Sequence, residues 1–196
     1  MAGDLFITGD LDADALLNDD GTALMIGMLL DQQIPLEWAF AGPHTLLGRL
    51  GRLDASAIAA LPEDDLVAVC CQKPAVHRFP ASMGRRIHAL CAVLAEQSEG
   101  RAETIWADGP SAAELGRRLR ALPGFGDEKT MIFIALLAKR QGVRPDGWEQ
   151  AAGVFADDQP RSIADVHDEA SLAEVRAWKA AQRLARRDKQ GRPLAT

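Results

Sequence analysis

An all-α fold is what the sequence predicts, and three observations predict it. Leucine and alanine abound while tyrosine is absent. No run of alternating β-branched residues offers a strand. Helix-start signatures recur along the whole chain. A chain of 196 residues that is 47% hydrophobic can bury an ordinary core, so the expectation is a single compact domain with two lobes spanning residues 21–196.

Taken in order, residues 1–20 hold six Asp and no Lys or Arg, the reverse of a signal peptide, and are expected to be a loosely ordered acidic segment. Thr22 to Gln33 is apolar on nearly every side, which predicts a helix buried at the centre of a bundle. Gly42-Pro43 reads as a loop. Asp54 is placed to cap a short helix over Ala55 to Ala60, and Pro62 to open another over Glu63 to Val69. A loop over Gln72 to Pro80 precedes the next helix. Further loops are expected at Gly109-Pro110, Gly142 to Gly147 and Gly153 to Pro160. Ser111-x-x-Glu114, Ser162-x-x-Asp165 and Ser171-x-x-Glu174 have the form of capping boxes, in which the hydroxyl and the later carboxylate satisfy free N–H groups of a first turn.

Composition narrows function. The net charge of −6 comes from the first twenty residues; the remainder carries 22 acidic and 22 basic side chains, so any surface for a polyanion must be local. Cys70, Cys71 and Cys91 are an odd count without C-x-x-C or Cys/His spacing, which suggests neither a disulfide framework nor a zinc or iron–sulfur site. His44, His88 and His167 lack ligand spacing. The apolar runs are too short to span a bilayer, and a cytoplasmic protein is expected. In the last helix, Arg176, Lys179, Arg183, Arg186 and Arg187 fall within a roughly 100° arc, with Val175, Trp178, Ala181 and Ala185 opposite. That stripe reads either as a solvated face or as a phosphate-binding one.

The segment Leu122-Pro123-Gly124-Phe125-Gly126 lies between two predicted helices, the second running from Met131 to Ala138 with Asp127 as its N-cap. Two glycines one residue apart allow a turn closed to other residues. By itself this is either a C-capping turn or an anion site formed by outward N–H groups. Twenty residues beyond Gly126 stands Asp146, which ends Arg144-Pro145-Asp146, and upstream lies Met28-Leu-Leu-Asp-Gln-Gln-Ile-Pro-Leu-Glu-Trp-Ala-Phe40.

Together these motifs resemble the helix-hairpin-helix-GPD superfamily of DNA glycosylases, specifically an uncharacterised bacterial branch, over about residues 20–190. The hairpin resembles Leu-Pro-Gly-hydrophobic-Gly, the Pro-Asp matches the loop that ends in a catalytic aspartate, and Gln32 and Gln33 match the glutamine segment inserted near the displaced nucleotide. The resemblance implies an enzyme that binds double-stranded DNA, flips out a damaged or mismatched base and hydrolyses its glycosidic bond. It implies Asp146 as the carboxylate that stabilises the cationic sugar. Glu128 and Lys129 follow the hairpin as further catalytic candidates. DNA contacts would come from Leu122, Pro123, Gly124, Phe125, Gly126, Lys129, Gln32, Gln33, Arg183 and Arg187, and from His77 and Arg78, though His77 could equally bond within its loop. Trp38, Phe40 and Trp148 would line the base pocket. Glu128 stands where bifunctional members carry a lysine nucleophile, so a monofunctional hydrolase is expected. The four-cysteine motif is missing, so no iron–sulfur cluster is expected; a monovalent cation on the hairpin carbonyls is a family feature. The alternative is a protein that keeps the hairpin and binds distorted DNA or a repair partner without catalysis.

Overall fold

A computed structural model describes residues 3–194, and its fold is helical, with no strand among the described residues. The helices are α1 (Leu11–Asp19), α2 (Gly21–Leu30), α3 (Leu36–Leu50), α4 (Ala55–Ala59), α5 (Glu63–Cys71) and α6 (Pro80–Gln97). They continue with α7 (Thr104–Ala107), α8 (Ala112–Arg120), α9 (Asp127–Arg140), α10 (Trp148–Ala152) and α11 (Glu169–Leu184). Short 3-10 turns cover Gly153–Ala156 and Ile163–Asp165. No described helix is long and apolar enough to cross a membrane.

α2 is buried along its whole length, as its uniformly apolar sequence requires. It packs against α1, α3 and α6. α9 is the second central helix, buried from Ile132 to Ala138 and packed against α8 and α10. Their residues belong to one continuous hydrophobic core.

Several local expectations change. From residue 3 onward the acidic N-terminal segment is packed onto the fold: Asp10 caps α1 by accepting from Asp12 N and Ala13 N, and Leu5 and Ile7 are buried. The buried Asp14 carboxylate accepts from Ile7 N at 3.1 Å and from Thr8 N and Thr8 Oγ1 at 2.9 Å, tying the extended segment to α1. Its acidity therefore has a structural use. Asp14→Ala leaves those donors without a partner and should lower stability by about 2–4 kcal/mol, measurable by urea denaturation; a loss below 0.5 kcal/mol would show that water replaces the carboxylate.

Gly42 and Pro43 lie inside α3 rather than in a loop. A Cβ on Gly42 would stand 2.4 Å from Leu30 Cδ1, so the glycine permits close approach of α2 and α3. Gly27 serves the same contact, since its Cβ would meet Phe40 Cδ1 at 2.7 Å. The Asp54 cap and the Ser162–Asp165 box form as predicted, whereas of the Ser111–Glu114 box only the Ser111 cap forms, because the Glu114 carboxylate accepts from Arg117 and Arg118 instead. The last box is shifted: Asp168 caps α11 and Ser171 is its N3 partner, because an Asp one turn earlier competes for the same amides. Gly126, not Asp127, occupies the N-cap of α9, and the Asp127 carboxylate accepts from Arg120 Nε at 2.6 Å.

Candidate functional site

The turn at residues 121–126 joins α8 to α9, so the predicted helix, tight turn and helix are present. Leu122 and Phe125 point inward and are buried, with Phe125 edge-on to Phe133 at 5.6 Å between centroids. They anchor the turn and offer nothing to a partner; Pro123 is half-buried and Gly124 and Gly126 are exposed. The two glycines differ in cause. Gly124 has φ +84°, and a Cβ there would stand 2.3 Å from Leu29 Cδ1, so the fold itself demands glycine. Gly126 has φ −79° and open space where a Cβ would go, so nothing within the chain excludes a side chain there.

The turn borders a cleft. On one side a cavity of about 420 Å³ is lined by Gly124, Gly126, Met28, Arg86 and Lys129, among others. On the other a cavity of about 700 Å³ lies between the segment 31–37 and α11, with Ile34, Leu36, Trp178, Lys179 and Arg183 on its walls. Asp31, Gln32, Glu128 and Lys189 line both and form the junction. Asp31 caps the C-terminus of α2, and its side chain is only 11% exposed.

Cations crowd this carboxylate. Lys129 reaches from the first turn of α9 to donate to the Met28 carbonyl. Burial pushes its ammonium down to about 8, with Asp31 pulling the other way and Lys189 and Arg86 adding to the depression. Lys179 of α11 is likewise pushed down to about 8 by burial, again opposed by Asp31 and reinforced by Lys189 and Arg183. Below pH 8 both lysines are charged in native and unfolded chains alike, and the native state bears the whole desolvation penalty. Between about 8 and the ordinary value of 10.5 the unfolded chain holds protons that the native one has released, so stability rises with pH across that window. Lys179→Met should therefore stabilise the protein at pH 7 by roughly 1–2 kcal/mol, the half-exposed site discounting the full shift. It should also flatten the rise between pH 8 and 10.5. Urea titrations at pH 7 and 9.5 check this, and identical pH profiles for the two proteins would remove the penalty.

The glutamines divide. Gln32 is pinned: its Nε2 donates to Leu29 O at 2.7 Å and its Oε1 accepts from Arg86 Nη1 at 2.9 Å. Gln33 is exposed and held at φ +59°, a conformation costly for a residue with a side chain, and so it is the one turned outward. His77 is buried and does not reach outward. Its Nδ1 accepts from Phe79 N at 3.0 Å, which leaves Nε2 to donate to Gln32 O at 2.9 Å. It locks the 72–79 loop onto the glutamine turn. Arg78 is exposed, over the Phe79 ring at 4.7 Å, and Trp38 is exposed nearby with Nε1 donating to Ala75 O at 3.1 Å.

Three expectations fail on position. Asp146 is exposed and lines neither cavity; its carbonyl accepts from Ala112 N at 3.0 Å, at the end of α8 away from the hairpin. The reason is directional, since α9 carries the chain from the hairpin to the far end of the bundle, and Asp146 lies only six positions beyond Arg140. Phe40 is a fully buried core residue against Gly27, and Trp148 is partly buried against the core. The basic stripe is interrupted: α11 ends at Leu184, Arg186 turns at φ +53°, and Arg187 pairs with Pro193. Ala181 and Ala185, on the side opposite the stripe, are exposed. Arg183 and Arg187 still line the larger cavity, and Arg176 pairs with Glu37 at its wall.

Sequence reasoning missed Asp31 and Lys189 as site residues and reached Lys179 only as a member of the basic stripe. The available signal for Asp31 was a lone carboxylate ending an otherwise apolar helix, directly before Gln32-Gln33. Comparisons with protein-family models, with curated proteins and with solved structures return no match for the chain.

Proposed function

We propose that this protein is a helix-hairpin-helix-GPD-like DNA glycosylase that hydrolyses the glycosidic bond of a flipped damaged or mismatched base. The observation that carries the reading is the placement of the hairpin on the rim of a cleft whose junction holds a nearly buried carboxylate, Asp31, between two half-buried lysines. The Gly126 turn and the first-turn amides of α9 receive a backbone phosphate, where a helix N-terminus favours an anion. Gln33, aimed outward by its left-handed backbone, fills the space that the displaced nucleotide leaves. The larger cavity takes the nucleotide, with Trp178 offering a face for the base.

In this mechanism the base leaves with the electron pair of the glycosidic bond and positive charge builds on the sugar. Asp31 takes the stabilising role expected of Asp146, because a carboxylate shielded from water acts on that charge far more strongly than one in bulk solvent. Water then adds to the sugar carbon, and its proton passes to the carboxylate or the departing base. Lys129, held by the Met28 carbonyl, positions Asp31 electrostatically, and a monofunctional outcome is retained. The remote position of Asp146 favours a second reading, DNA binding without catalysis.

A single-turnover assay against duplexes bearing uracil, alkylated purines, oxidised purines and mismatches separates the two. The expected result is strand cleavage only after alkali on one lesion class. Cleavage without alkali, with borohydride trapping of the protein through Lys129, would replace the hydrolase by a lyase. Binding without release on every duplex would leave the non-catalytic reading.

A further inference from the structure

After α11 the chain forms a small hairpin of its own. Arg186 reverses direction at φ +53°, Arg187 bridges to Pro193, and Leu194 N donates to Arg186 O at 2.7 Å. Asp188 closes the loop internally, its carboxylate accepting from Gln190 N at 2.8 Å, from Arg192 N at 2.9 Å and from Arg192 Nε at 2.7 Å. The hairpin is therefore self-supporting. It is not anchored by apolar burial, since no residue from 185 to 194 is buried and Leu184 and Leu194 are 88% and 50% exposed.

Its tip reaches the junction of the two cavities. Lys189 Nζ lies 3.9 Å from Asp31 Oδ2 and 4.0 Å from Glu128 Oε1, and Gln190 Nε2 donates to Glu128 Oε2 at 3.3 Å. Lys189 is the one residue of this hairpin that lines both cavities, so the tip stands at their junction. The Lys189 contacts are also poor ones. A charged N–H···O bond is typically about 2.7–2.9 Å, and both carboxylates stand outside that range. Such a lysine gains when a phosphate oxygen comes within reach, and the hairpin loses little apolar contact by moving.

We infer that the C-terminal hairpin is a displaceable plug of the cleft, in which Lys189 exchanges its partners Asp31 and Glu128 for a phosphate of the incoming DNA strand. The exchange part of this inference rests on the DNA reading given above; the plug does not. In the free protein the tip shields Lys129 and masks Asp31. On binding, the plug swings aside, Asp31 is released to the reacting sugar, and the lysine that covered it becomes one of the phosphate contacts.

Two measurements on the full-length chain test this separately. The first needs no DNA: acetylation of Lys129 by a small amine-reactive reagent, followed by mass spectrometry, with Lys139 as internal reference because it is held by Asp157 O and Asp165 away from the cleft. In a Lys189→Ala/Gln190→Ala variant, Lys129 should label roughly tenfold faster while Lys139 is unchanged. The second is the salt dependence of binding to a lesion-bearing duplex, where Lys189→Ala should reduce the log–log slope by about 1. Faster labelling and a shallower slope support the inference. Unchanged Lys129 labelling overturns the plug whatever DNA does. Faster labelling with an unchanged slope overturns the exchange of partners. If the unsubstituted chain binds no duplex at any salt concentration, the DNA reading and the exchange fall together, and the labelling result still decides the plug.

Discussion

Gly126→Ala is expected to leave the fold untouched and to weaken duplex binding about tenfold or more, whereas Gly124→Ala should damage the fold itself. The contrast follows from the backbone. At Gly126, φ −79° suits alanine and no atom lies within 4 Å of the new methyl, so stability should change by less than about 0.5 kcal/mol. The methyl would instead stand between the first-turn amides of α9 and an approaching phosphate, at a site where a charge-assisted hydrogen bond contributes roughly 1.5–3 kcal/mol. At Gly124, φ +84° and the buried Leu29, whose Cδ1 would stand 2.3 Å from the added Cβ, impose both strain and crowding, for a loss of roughly 2 kcal/mol. Thermal melting and fluorescence anisotropy on the two variants measure these effects. Gly126→Ala binding as tightly as the parent would remove the hairpin from the interface.

The second large effect concerns the carboxylate. Asp31→Asn keeps shape and volume and removes charge, so base release in single turnover should fall 10²–10³-fold, on the order found when one preorganised electrostatic stabiliser is deleted. Asp146→Asn should leave the rate within about twofold, because its side chain is exposed and lines neither cavity. Duplex affinity should not fall in either, since neither carboxylate is a phosphate ligand, and in Asp31→Asn the loss of a Lys189 partner favours transfer of that lysine to phosphate. The reverse ranking, with Asp146→Asn inactive and Asp31→Asn active, would mean that bound DNA rearranges the 141–147 loop and would return the catalytic role to Asp146. Loss of activity in neither variant would detach both from the chemistry.

The helical class, the buried course of α2, most helix starts and the hairpin turn were legible in the chain as a string. These features depend on neighbours within a few residues: the apolar period, a Ser or Asp presented to the next turn's amides, a glycine where φ must be positive. Where local signals compete, the string misleads. Gly42-Pro43 carries loop residues, yet the close packing of α2 on α3 places them inside a helix. Asp168 outranks Ser171 as a cap by standing one turn earlier. The Gln32-Gln33 segment was recognisable, but not that His77, 45 residues away, would pin Gln32 and leave Gln33 turned outward.

The site required the third dimension for a plainer reason. Asp31, Lys129, Lys179 and Lys189 come from four separate segments, and each alone is an ordinary helix-end or surface charge. Only packing brings them to one junction, and burial there is what lowers Lys129 and Lys179 toward 8. Asp146 shows the converse. Its spacing from Gly126 matched a pattern, but distance along the chain is not distance in space, and α9 carries the chain away from the hairpin before Asp146 is reached. What the sequence determined by itself was local conformation and the identity of the turn; what tertiary structure decided was which charges share a cleft, because burial and Coulomb energy depend on proximity that no linear spacing encodes.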